Sequence, residues 1–70
     1  MTATMELIKL EERLAKAESL VKKSVKSGIV KAKAENYKAA RDYMDLADLY
    51  QKQVQSIKHD IYTLAINTCS

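Results

Sequence analysis

Apolar and small residues recur at Ala3, Leu7, Leu10, Leu14, Ala17, Val21, Ser24 and Gly28, in alternating steps of four and three. That alternation keeps one stripe of an α-helix turned toward a single neighbour, and it predicts a first helix over about residues 3 to 33. Ala40, Tyr43, Ala47, Tyr50, Val54, Ile57, Ile61 and Leu64 repeat the pattern and predict a second helix over about residues 36 to 66. The two stripes also fit each other. In an antiparallel hairpin facing residues add to a constant, and Leu7 with Leu64, Leu10 with Ile61, Leu14 with Ile57, Ala17 with Val54, Val21 with Tyr50, Ser24 with Ala47 and Gly28 with Tyr43 all add to 71. The expected fold is all-α: one antiparallel, coiled-coil-like two-helix hairpin over residues 1–70, capable of dimerising.

The matching centres the hairpin between residues 35 and 36, so the turn falls at Ala34-Glu35-Asn36, with Asn36 as N-cap of the second helix. A break at Ser27-Gly28 is the alternative, because Gly commonly ends helices. It would leave helices of unequal length and spoil the layers. Gly28 instead makes room for the Tyr43 ring opposite, and the small residues Ala17, Ser24, Gly28 and Ala47 predict closest approach near the turn.

Composition narrows the class further. With no Pro and one Gly in 70 residues the chain lacks the turn chemistry that several strands would need. So short a chain reaches about 3–5 kcal/mol of stability at best on its own core, which implies a partner or self-association. The single Cys69 cannot staple the chain to itself, and a small domain without disulfides points to a reducing cytoplasm. The start, MTATMELIKL, has no basic segment leading into an apolar run, and no long apolar stretch follows, so neither signal peptide nor membrane span is expected.

No residue set reads as an active site or as a cofactor site. His59 sits two residues from both Ile57 and Ile61, which turns it away from the seam with no nucleophile near it. Asp42, Asp45 and Asp48 form a carboxylate row, but an oxygen cage for a metal needs carbonyl or loop ligands as well. These acids read more simply as exposed pairs four apart: Lys38 with Asp42, Arg41 with Asp45 and Asp48 with Lys52, together with Glu12–Lys16 and Glu18–Lys22.

Two surface features remain. Lys22, Lys23, Lys26, Lys31, Lys33, Lys38 and Arg41 lie in residues 22 to 41 with Glu35 as the only acid, a local balance of plus six against minus three for the rest. These seven are the candidate anion-binding residues, and a nucleic-acid-binding homodimer built as a four-helix bundle is the second functional reading. Stronger is the unspent apolar set: Ile8, Leu20, Val25, Ile29, Val30 and Ala32 on the first helix, and Tyr37, Met44, Leu46, Leu49, Tyr62 and Ile66 on the second. A two-helix contact covers one stripe per helix, so another surface must cover part of this set. Ile29, Val30, Tyr37, Leu46, Leu49, Tyr62 and Ile66 are the candidate partner-binding residues.

Asn36, Tyr37, Ala40, Tyr43 and Ala47, with Gly28 twelve before Ala40, resemble the helical pair of a tetratricopeptide repeat, although the chain has room for only one such pair. Over its whole length the chain is similar to the small helical-hairpin co-chaperones of bacterial type III secretion needle subunits. The resemblance is carried by the Met-Thr start, Leu10-Glu11-Glu12-Arg13-Leu14, the basic middle, Asn36-Tyr37-Lys38 at the opening of the second helix, and the Ile61-Tyr62-x-Leu64 ending. It implies no catalysis and no cofactor. The partners it implies are a tetratricopeptide-like chaperone in the bacterial cytosol and, through it, a needle subunit kept soluble before export; a weak homodimer is a further expectation.

Overall fold

The computed structural model describes the backbone of residues 2–69 and the side chains of residues 4–67. It holds two helices, α1 (Thr2–Lys33) and α2 (Tyr37–Cys69), packed against each other along their length as a rod with extents of 53 × 14 × 10 Å. Ser27 and Gly28 lie inside α1, so the chain does not break there. Ala3 and Cys69, named above, lie outside the described side chains.

The turn is built by backbone geometry that one residue adopts at some cost. Glu35 has φ 63°, in the left-handed region. This lets the Glu35 N–H donate to the Ala32 carbonyl at 3.0 Å and the Asn36 N–H donate to the Lys31 carbonyl at 2.9 Å. The pair of bonds is a Schellman closure, which satisfies carbonyls that the end of α1 would otherwise leave open. Asn36 then serves the next helix. Its Oδ1 accepts from the Ala39 N–H at 3.3 Å and its carbonyl accepts from Ala40 at 3.0 Å, so one residue completes α1 and caps α2.

Every described seam residue from Leu7 to Leu64 is buried or half-buried. The buried apolar core is thin: Ala17, Ala40, Ala47 and Val54, with Ser24 and Gly28 also buried. Val54 is the most enclosed, at 2% exposure. Gly28 corrects one expectation. A Cβ there would stand 2.8 Å from Met44 Cε, 3.4 Å from Met44 Sδ and 3.4 Å from the Ala40 carbonyl oxygen. The room that Gly28 leaves is therefore taken by the Met44 thioether and by the close backbone of α2, not by the Tyr43 ring. A flexible thioether fills an irregular gap more readily than a flat ring.

Candidate docking groove

Residues seven apart on an α-helix fall about 20° short of two full turns, so each such series forms a near-straight line along the rod. Glu6, Arg13 and Leu20 make one such line on α1, and Leu46, Gln53 and Asp60 make another on α2. These two lines border a shallow groove. Its far part is lined by Leu10, Arg13, Lys16, Asp60 and Leu64, and its middle by Arg13, Ala17, Leu20, Gln53, Ile57 and Asp60. Arg13, Lys16 and Asp60 line both parts, so the groove is continuous over that length. Its floor is the edge of the seam itself. Leu10, Ile57 and Leu64 are half-buried, each with one side against the opposite helix and the other open.

Toward the turn the same flank carries Leu46 and Leu49 on α2, both exposed, with Leu49 at 57%. Val30 belongs to this flank as well, because it lies in line with Lys9, Lys16 and Lys23. Ile29, Tyr37 and Tyr62 are also exposed but lie on the opposite flank. Ile29 is in line with Ile8, Tyr37 with Met44, and Tyr62 with Arg41. Ile66 is in line with Lys52 and His59 on the outer side of α2. The seven candidate partner-binding residues are thus all exposed, and they divide between two flanks and the outer side rather than forming one patch. Val25, counted above with the unspent set, is half-buried. Leu20 joins Leu46 and Leu49 on the groove side.

The basic residues show a similar dispersal. Lys22 and Arg41 lie on the flank of Ile29, Lys23 on the groove flank, and Lys26, Lys33 and Lys38 on the outer sides of the two helices. Lys31 adds to 71 with Ala40, which puts it at the seam, and it is half-buried. The cations encircle the turn end. Of the five four-apart pairs, Asp48 and Lys52 close to 3.6 Å between exposed side chains, the one ion pair among the described residues. Such a pair contributes a few tenths of a kcal/mol at about the level of other exposed helix pairs. Among the described residues no group of three or more His, Cys, Asp or Glu is arranged to hold a metal ion, and His59 is exposed. No described helix is long and apolar enough to cross a membrane.

Comparison with family models, with curated proteins and with solved structures finds no match to this chain. The groove and the two exposed flanks are the features on which a functional reading rests.

Proposed function

We propose that this hairpin is a non-enzymatic adaptor whose groove flank takes a helix of a partner protein. The observation that carries the reading is the imbalance of its apolar surface: among the described residues, four buried apolar ones against eleven large exposed ones. A chain of this size with so thin a core gains most of its stability from a further layer of helix. The groove offers the matching half of that layer. Its apolar floor is flanked by Lys9, Arg13 and Lys16 and equally by Glu6, Glu12 and Asp60, so an amphipathic helix with charges of both signs beside its apolar stripe fits it best.

The resemblance drawn from the sequence suggests what the partner is: a tetratricopeptide-like chaperone of the bacterial cytosol, which the adaptor assists in keeping a type III secretion needle subunit soluble before export. The nucleic-acid reading is weaker, because cations spread around the turn do not make the continuous stripe that tracks a phosphate backbone.

The test is Leu46→Ala combined with Leu49→Ala. Both residues are exposed, and Ala has high helix propensity, so helicity and melting should change little. Affinity for a tetratricopeptide-repeat chaperone from the same cell, measured by titration calorimetry, should fall about tenfold or more, the equivalent of about 1.4 kcal/mol. Unchanged affinity would remove the groove flank from the reading. Loss of salt-sensitive RNA binding in Lys31→Glu with Lys33→Glu, and no effect of the Leu pair, would put the nucleic-acid reading in its place.

A further inference from the structure

The flank opposite the groove carries its apolar residues in two clusters with a polar stretch between them. Ile29, Tyr37 and Met44 lie near the turn, Ile8 and Tyr62 near the other end, all exposed. Two lines of residues seven apart organise this flank: Ile8, Ala15, Lys22 and Ile29 on α1, and Arg41, Asp48, Gln55 and Tyr62 on α2. Each line can be laid against a reversed copy of itself. On α1 the reversal sets Ile8 on Ile29 and Ala15 on Lys22; on α2 it sets Arg41 on Tyr62 and Asp48 on Gln55.

The two reversals share one axis to within a single residue. The α1 line reverses about a point between Glu18 and Ser19, and the α2 line about a point between Gln51 and Lys52. The two points add to 70, one short of the constant that marks facing positions in the hairpin, so they are offset by one residue, a rise of about 1.5 Å. A single two-fold axis across the middle of this flank therefore brings both helices of a second copy close to register, a mismatch of about 1.5 Å being within the reach of side chains. A closed two-fold contact of this kind requires a surface that complements itself in just this way.

We infer that this flank is the interface with a second copy of the same chain, stacked antiparallel to form a four-helix bundle with the two turns at opposite ends. Charge favours this direction over the parallel one. Residues 22–49, which make up the turn end, carry seven bases against Glu35, Asp42, Asp45 and Asp48, whereas bases and acids balance at the far end; antiparallel stacking sets each basic end over a neutral one, and parallel stacking superimposes the two basic ends. Beside the axis, Lys22 of each copy comes within a helical turn of the other copy's Glu18, and Arg41 lies over the other copy's Tyr62 ring, a favourable cation–aromatic pair. Area suffices as well. A face 53 Å long and two helices wide covers on the order of 1,000 Å² per copy, above the roughly 800 Å² per partner of a standard stable interface.

The inference does not depend on the groove reading, because the two flanks are opposite. It is tested by sedimentation equilibrium of the full chain with Ile29→Glu, the Leu46→Ala and Leu49→Ala pair serving as control. The dimer dissociation constant should rise at least tenfold for Ile29→Glu, which buries a charge in both apolar clusters of the dimer, and stay within about twofold for the control. The direction is read separately, in a Cys69→Ser background, by mixing Ile8→Cys protein with Ile29→Cys protein under mild oxidation. Mixed disulfides should dominate over Ile29→Cys pairing with itself. Within one copy the two positions lie about 30 Å apart at 1.5 Å per residue, so any cross-link is between copies. A wild-type chain that stays monomeric at millimolar concentration, predominant Ile29→Cys self-pairing, or a dimer lost in the Leu pair and kept in Ile29→Glu would each overturn the inference.

Discussion

Along the half of the seam nearest the turn, Ser24, Gly28, Ala40 and Ala47 are buried, whereas along the far half Leu7, Leu10, Leu14, Ile57, Ile61 and Leu64 all keep part of their surface in water. Large residues are enclosed only where a small one faces them, as Val54 is opposite Ala17; Val21, Tyr43 and Tyr50 near the turn are half-buried too. Two helices that meet through small residues come close, as the 3.4 Å between a Gly28 Cβ and the Ala40 carbonyl would show, and the neighbouring side chains then seal the contact. Large residues on both sides hold the axes apart, and with no third helix present their outer edges stay open. Those open edges at Leu10, Ile57 and Leu64 form the groove floor. The half nearest the turn is thus the more closed of the two, and the far half leaves its floor open to water.

This contrast can be broken from either side. Ala47→Leu forces a large side chain into the close half and should destabilise by about 3 kcal/mol, the upper part of the range for overpacking, which approaches the whole stability of so small a chain. Leu14→Ala removes a half-buried side chain from the open half and should cost about 2 kcal/mol, the low end for a large-to-small change. Urea unfolding followed by circular dichroism measures both. If Ala47→Leu is the milder of the two, the turn half is not the close one.

The turn that joins the halves should respond in the opposite sense. Glu35 holds a left-handed φ of 63°, which costs a non-glycine residue roughly 1–2 kcal/mol, while glycine there gives back some of that gain through the entropy of the unfolded chain. Glu35→Gly should therefore raise stability by about 0.5–1 kcal/mol. A variant that melts earlier than the parent would mean that Glu35 contributes more than its backbone costs.

Much of the fold is legible in the sequence, because an antiparallel pair of stripes must satisfy one constant along its length and these do so over seven layers. Asn36 as a cap is legible for the same reason, since its position follows from the centre of the matching. The left-handed Glu35 is not, because the composition offers no glycine where the Schellman closure needs a positive φ. The site is less legible still. Exposure of Ile29, Val30, Tyr37, Leu46, Leu49, Tyr62 and Ile66 follows from their distance from the seam, but grouping them as one surface ignores which side of the seam each one flanks. The groove floor lies outside that set, because Leu10, Ile57 and Leu64 hold seam positions and read as core, although a pair of helices closes each of them on one side only. Leu20 and Leu46, each in line with a groove-wall residue at sevenfold spacing, were the signal that could have found it.

Gly28 gives the finest division of the two halves, and its substitution should have the smallest effect. Alanine in mid-helix gains about 0.8–1 kcal/mol over glycine in propensity. Its Cβ, however, would lie 2.8 Å from Met44 Cε, so the thioether must swing away, while the 3.4 Å to the Ala40 carbonyl oxygen leaves the backbone little need to move. Because the crowded atom is the end of a flexible side chain, the loss should nearly cancel the gain, and Gly28→Ala should fall within about 0.5 kcal/mol of the parent. The cancellation is separable by a double-mutant cycle. In a Met44→Ala background nothing occupies the space, and Gly28→Ala should then stabilise by nearly its full propensity gain of about 1 kcal/mol. If Gly28→Ala is instead strongly destabilising in both backgrounds, the obstacle is the α2 backbone rather than the thioether, and the helices lie closer at the turn half than 3.4 Å of clearance implies.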